Sequence, residues 1–288
     1  MNYRHAFHAG NYADVFKHVW LVQLIRALQR KEKGFLYLDT HAGRGAYDLD
    51  AAPAGPAAAR APEWPGGIGR LWEAAGLPPA LAEYVALVRQ FNARAGGSPG
   101  KLRRYPGSPW LAALARRPQD RLALWERQPD EAAALRAAFA RRRRVAVEAG
   151  DGYRALRAAL PPAERRALVL IDPPFEEKNE FEAVIAALRE GLRRFRDGVY
   201  AIWYPVTERA QADGFHAALA WLRPPPTLWA ELAVTGDPQV RMKACGLVVV
   251  NPPWRLYDGI APLLPVLAQR LGLDRGAAAR CGWIVPEA

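Results

Sequence analysis

Hydrophobic and polar positions change period along this chain in the order that a layered α/β protein requires. From Asn11 to about Arg30 the residues Val15, Phe16, Val19, Trp20 and Val22 make an apolar helical stripe, with Asn11 as cap and Asp14 in the first turn. Gly34 is read as the end of that helix. Phe35 to Leu38 is then apolar without alternation, as a strand buried on both faces is, and leads into the turn Asp39-Thr40-His41-Ala42-Gly43-Arg44-Gly45. Residues 51–66, rich in Ala, Pro and Gly, read as a connection; helices at 68–75 and 79–95 and a second Gly/Pro-rich loop at 96–100 follow. Beyond them strands at 121–125, 145–148, 168–171 and 199–204 alternate with helices at 130–142, from 151 onward, and at 181–195. Two last strands, 228–234 and 246–250, suit an antiparallel edge. The order predicts an α/β fold in three parts: 1–47 with the first helix and strand, 48–101 as a small helical insertion, and 102–288 as the rest of the sheet domain.

Composition narrows the class. Hydrophobic residues make up 51% of the 288, which excludes a disordered chain. No apolar run approaches the roughly 18 residues that a bilayer span needs. The start, Met1 to His8, has no apolar stretch of a secretory signal, and two cysteines, Cys245 and Cys281, fit a reducing compartment, so a cytoplasmic protein is expected. Lys and Arg number 40 against 29 Asp and Glu, a formal charge of +11, which makes nucleic acid the first candidate partner. An arginine- and alanine-rich composition spread over the whole surface would give the same excess.

Candidate chemistry lies at the strand ends. Leu168 to Ile171 runs directly into Asp172-Pro173-Pro174-Phe175, at the carboxyl edge where open α/β sheets place their ligands. The prolines fix φ near −65° and remove two donors, so their carbonyls are rigid acceptors. A planar heterocycle could stack on Phe175 while its exocyclic amine donates to the Asp172 carboxylate and the Pro173 carbonyl. Held so, the amine lone pair leaves conjugation and becomes nucleophilic. Asp-Pro after a strand is equally a common turn initiator, and an aromatic beyond it can simply cap a core.

Neighbouring strand ends tip the balance toward a site. The first ends in Asp39, His41 and Gly43, the second in Glu126, the third in Asp151-Gly152. Glu126 suits the two hydroxyls of a ribose, and the glycines admit a ligand close to the backbone. The turn 42–47 lacks a full G-x-G-x-x-G, so a cofactor with ribose and no phosphate fits better than a dinucleotide, and S-adenosylmethionine is the obvious one. Four of the five histidines, His5, His8, His18 and His41, fall in the first 41 residues, yet no zinc-type spacing accompanies them and no metal is expected. His18 shares an apolar face with Val22 and Ile25, as a core histidine does. Tyr105 to Pro109 reads as a loop with Ser108 capping the helix that follows, and Arg141 to Arg144 as a solvated helix end or a phosphate contact.

The segment Tyr3 to Asn11 with Asp14, Lys17 and His18 resembles the amino terminus of the bacterial ribosomal RNA large subunit methyltransferase J family. Phe35 to Gly43, Tyr105 to Pro109, Leu168 to Pro174, Trp203-Tyr204-Pro205, Asn251 to Trp254 and Trp283 to Glu287 resemble that family in the same order, over nearly the whole chain. The resemblance implies a Rossmann-like class I S-adenosylmethionine-dependent methyltransferase with a mostly parallel seven-stranded sheet and an inserted helical subdomain. The implied reaction is methylation of the N6 amine of one adenine in 23S ribosomal RNA, with the base flipped out of its stack. By matching motifs, cofactor contacts fall on His18, His41, Ser108, Glu126, Asp151, Gly152 and Asp172. The catalytic group falls on Asp172, with Pro173 and Phe175 beside it, and RNA handling on Tyr3 and Lys17. Two departures stand out: Phe175 replaces the family's common Tyr, and 51–66 is richer in Ala and Pro. A DNA adenine-N6 or protein amide methyltransferase, and a non-catalytic ribosome-assembly factor, are the competing expectations.

Overall fold

In a computed structural model, residues 7–51, 61–96, 100–237, 239–240 and 242–287 are described. Helix α1 (Tyr12–Gln29) leads into β1 (Leu36–Asp39). Then come β2 (Ala46–Asp48), α2 (Ile68–Trp72), α3 (Pro79–Arg94), β3 (Arg104–Pro106) and α4 (Ser108–Ala115). The alternating part runs β4 (Arg121–Glu126), α5 (Pro129–Phe139), β5 (Val145–Ala149), α6 (Gly152–Ala159), β6 (Ala167–Ile171), α7 (Glu180–Arg194), β7 (Val199–Val206) and α8 (Arg209–Trp221). It closes with β8 (Thr227–Ala233), β9 (Ala244–Val250), α9 (Leu256–Ile260), α10 (Leu263–Leu271) and β10 (Ala278–Val285).

The main sheet has eight strands in the order β10-β8-β9-β7-β6-β1-β4-β5. β1 pairs in parallel with both β4 and β6, and the parallel run extends to β5 and β7. Successive residues of the central strands enter opposite cores: Tyr37, Leu168 and Leu170 pack with α1, α4 and α5, while Leu36, Leu38, Val169 and Ile171 pack with α6 and α7. That two-sided burial is why these strands read as unbroken apolar runs.

Four expectations need correction. β9 lies between β7 and β8 and is antiparallel to both, so β8 points the same way as the parallel strands. The antiparallel edge strand is β10, an eighth strand with exposed Ala278 and Arg280, whose polar side hides it from an apolar-run reading. The helix before β1 ends at Gln29, capped by Arg30, and Gly34 serves packing instead: a Cβ there would lie 2.4 Å from the Gln119 carbonyl oxygen. Tyr105 is not in a loop but in β3, which pairs with β2 as a separate two-stranded sheet against the first turn. Within the insertion, α3 packs on α1, α4 and β3.

Candidate active site

The carboxyl ends of β1, β4, β5 and β6 bring together the acidic residues picked out from the sequence. β1 ends in Asp39, fully buried, which accepts from Tyr37 Oη at 2.7 Å, Ser108 Oγ at 2.6 Å and the His41 amide at 3.3 Å. Burial raises its pKa from 3.8 to about 6, against the lowering pull of those hydroxyl donors. Ser108 is therefore not a helix cap; Gly107 occupies the cap position of α4 and the hydroxyl is spent on Asp39.

Beside it, the Glu126 carboxylate accepts from the Gly43 amide at 2.8 Å and the Gln128 amide at 2.7 Å. Burial pushes its pKa up, offset by those amides. Each oxygen retains a lone pair for a further donor, the arrangement that two vicinal hydroxyls require. Gly43 supplies its amide from a backbone with φ +59°, a conformation that glycine adopts without strain. Asp151 caps α6 through the Tyr153 amide at 3.0 Å, and Gly152 sits where a Cβ would lie 1.7 Å from the Thr40 carbonyl oxygen. Only glycine lets α6 start against the end of β1. His41 bonds Thr40 Oγ1 at 2.8 Å and packs edge-on to Tyr153; burial lowers its pKa to about 4, so the ring is neutral near pH 7.

Asp172 follows β6 and holds the ammonium of Lys17 at 2.6 Å through Oδ2. Lys17 also binds Asp14 at 2.9 Å, one turn earlier on α1. Asp14 is itself fixed: its Oδ2 accepts the Gly10 amide and its own amide caps onto Asn11 Oδ1, both at 2.9 Å. Although burial pulls the Lys17 pKa down, the two carboxylates hold it well above its ordinary value. Lys17 thus points inward at Asp172, with 7% of its side chain exposed, rather than outward toward solvent. Pro173 is buried, and Phe175, with φ +48°, lays a partly exposed ring 4.8 Å from Phe181 and 5.8 Å from Trp203.

His18 follows Lys17 on α1. It is buried and bonds Tyr105 Oη at 2.7 Å, which in turn bonds Tyr84 Oη at 2.8 Å, so α1, β3 and α3 are tied by one hydrogen-bonded chain. Tyr3 lies outside the described residues. Among the described residues no group of His, Cys, Asp and Glu is placed to hold a metal ion, and no helix is long and apolar enough to cross a membrane. Asp14, Tyr37 and Trp203 belong to this edge without having been chosen for it. Their signals were present: Tyr37 and Asp39 share a strand face, and Asp14 and Lys17 stand three residues apart on a helix.

The model of the family described as "Ribosomal RNA large subunit methyltransferase D, RlmJ" matches residues 32–285. The chain belongs to that family. Among curated members, it is 43% identical to Ribosomal RNA large subunit methyltransferase J of Escherichia coli (strain K12) and 42% identical to the protein of the same name from Haemophilus influenzae, each over 100% of both chains. The crystal structure of protein LPL1258 from Legionella pneumophila str. Philadelphia 1 is 33% identical, with a TM-score of 0.85 over 96% of this chain and 98% of that one. Membership places the protein among the methyltransferases, and the carboxylate-lined edge is where this RlmJ family member gathers its polar side chains.

Proposed function

We propose that the protein transfers a methyl group from S-adenosylmethionine to the N6 amine of a single adenine in 23S ribosomal RNA, in the cytoplasm. The observation that carries the reading is the meeting, at one sheet edge, of Asp172-Pro173-Pro174-Phe175 with the Glu126 carboxylate and the first-strand turn. Family membership and the ribosomal RNA named for its relatives support the substrate.

The residues fit the cofactor. Glu126 has acceptor capacity for both ribose hydroxyls, Gly43 and Gly152 leave the backbone bare beside it, and the capped start of α6 offers Asp151 nearby. When bound, S-adenosylmethionine supplies an electrophilic methyl on a sulfonium. His41, Ser108 and His18 are proposed to shape the floor and rim of that site. On the substrate side, Phe175 would carry the flipped base, and the amine would donate to the Pro173 carbonyl and to Asp172 Oδ1, since Lys17 already holds Oδ2. Lys17 keeps the acceptor aimed while the amine is brought in line, so positioning supplies much of the acceleration. The proton released after transfer passes to Asp172 or to adjacent water. Tyr3 and the segment 48–101, taken as an inserted subdomain between 1–47 and 102–288, would meet the RNA.

The test is transfer of labelled methyl to 23S RNA from cells lacking the protein, side by side with DNA and ribosomal protein. Asp172→Asn is expected to lose about 10²–10⁴-fold in kcat, the usual weight of a positioned proton acceptor. Label in DNA or protein instead of RNA, or a folded Asp172→Asn enzyme of normal rate, would overturn the reading.

A further inference from the structure

The positive charge of this chain is not spread evenly. Helices run back from the carboxyl edge to the amino edge of the sheet, and there they end in cations: Arg30 and Lys31 after α1, Arg141 to Arg144 after α5. Arg165 and Arg166 precede β6 at the same edge, and the connections after α4, α7 and α8 also carry arginine. A helix dipole accounts for cations within the last turn. It does not account for Arg143, Arg144 or Arg165, which lie beyond any helix. Nor does a general arginine bias, because the opposite edge concentrates carboxylates.

Two further features mark this edge. Two of its acids are already engaged, Glu164 by Arg121 at 2.9 Å and Glu190 by Arg194 at 2.7 Å. The cations also crowd one another: Arg116 is held below its usual range by burial and then by Arg142, and Arg166 by burial and then by Arg117. A polyanion laid along the edge would relieve that crowding. Second, the two most exposed large apolar side chains among the described residues, Trp221 at 85% and Trp254 at 76%, both sit here. Trp221 ends α8, and the Trp254 carbonyl is held by Arg30 at 3.0 Å, beside the end of α1. Flat aromatic faces interleaved with guanidinium groups suit a backbone of phosphates and unpaired bases.

We propose that the amino edge of the sheet, remote from Asp172, is a second docking surface for the RNA substrate, with arginines on its phosphates and Trp221 and Trp254 on unstacked bases. The inference rests on the proposed RNA methyltransferase activity and adds to it a bipartite grip. From β5 to β8 the edge spans six strand spacings, roughly 30 Å at about 4.8 Å each. That is the length of roughly nine nucleotide steps at about 3.4 Å. With strands only about 17 Å long between the two edges, a folded RNA can reach both.

The test uses the full chain and protein-free 23S RNA from cells lacking it. Arg141 and Arg143 make no side-chain hydrogen bond or ion pair among the described residues, so the double variant Arg141→Glu/Arg143→Glu leaves the fold alone. It is expected to raise KM for the RNA about tenfold or more with kcat within about twofold, and to lower the log–log salt slope of binding by about 1.5–2, as for two lost phosphate contacts. Trp221→Ala/Trp254→Ala is expected to raise KM several-fold with the slope unchanged, since stacking carries no counterions. Cofactor affinity by calorimetry serves as the folding check, with Lys31→Glu as a second charge variant should the first be unstable. Unchanged KM and slope in the arginine variant overturn the proposal, and so does an equal loss in Arg275→Glu, a charge reversal at the opposite edge, where β10 begins. Wild-type protein that methylates no RNA defeats the proposed activity itself.

Discussion

The two edges of one sheet treat charge in opposite ways. At the carboxyl edge the carboxylates of the site are held by donors: Asp39 by Tyr37 and Ser108, Glu126 by two amides, Asp14 by the Gly10 amide and, together with Asp172, by the ammonium of Lys17. At the amino edge Arg141 to Arg144 and Lys31 are exposed. Buried charge that is fully paired is costly to disturb and therefore holds geometry, whereas exposed charge is cheap to change and acts at a distance on a polyanion. One edge is built to position a small reacting group, the other to hold a large charged molecule.

The sharpest way to break this contrast is to remove one lysine from each edge. Lys17→Met leaves the buried Asp14 and the largely covered Asp172 without their counter-charge, and the expected loss is about 3–5 kcal/mol of stability in urea unfolding near pH 7. Lys31→Met, at the exposed edge, is expected to stay within about 0.5 kcal/mol of the parent. Equal costs at the two edges would mean that the Lys17 cluster does not hold the geometry of the carboxyl edge.

Next in size is a pH effect confined to the carboxyl edge. Asp39 titrates at about 6 in the folded chain against 3.8 when free. Between those values the folded state keeps a proton that the unfolded state has lost, so this group makes stability fall as pH rises from about 4 to about 6 and adds no slope outside that window. The full fall is about 3 kcal/mol. Asp39→Asn has nothing to titrate, so the difference in unfolding free energy between parent and variant should change across that window. A difference that is flat from pH 3.5 to 7 would show that the Tyr37 and Ser108 hydroxyls fully offset burial.

Much of this arrangement was legible in the chain and some was not, for physical reasons. Leu168 to Ile171 and Phe35 to Leu38 are buried on both faces, so they read as strands and point at Asp172 and Asp39. The same apolar signal fails for β10, whose exposed Arg280 breaks the run, and for β2 and β3, three residues each, whose pairing spans the insertion. Lys17 and Asp172 lie 155 positions apart, and no local pattern says that α1 will lay an ammonium on the end of β6. Ser108 looked like a cap because caps are local; its true partner, Asp39, arrives through tertiary packing.

Glycines sharpen the contrast at the next scale, because each edge has one pressed against a carbonyl. A Cβ at Gly152 would meet the Thr40 oxygen at 1.7 Å, and one at Gly34 the Gln119 oxygen at 2.4 Å. Both are backbone contacts that cannot rotate away, so Gly152→Ala and Gly34→Ala should each cost about 1–3 kcal/mol. Their effects on ligand binding should separate. Gly152→Ala pushes the start of α6 off β1 and should weaken S-adenosylmethionine binding by calorimetry, while Gly34→Ala should leave that affinity unchanged.

The smallest effect is expected at Phe175, the aromatic of the Asp172-Pro173-Pro174-Phe175 turn. Its ring is fixed by Phe181 and Trp203 and its backbone by a positive φ, and neither depends on a hydroxyl. Phe175→Tyr adds one polar atom to a partly exposed ring and keeps the face on which a base would stack. Its kcat/KM on 23S RNA should stay within about threefold of the parent, less than 1 kcal/mol. Phe175→Leu removes the aromatic face and should raise KM about tenfold or more, since stacking on an aromatic ring contributes about 1–3 kcal/mol per base. If the tyrosine variant instead changed turnover as much as the leucine variant, the carboxyl edge would be reading the base through a hydrogen bond at this position, and the ring's contribution would not be stacking.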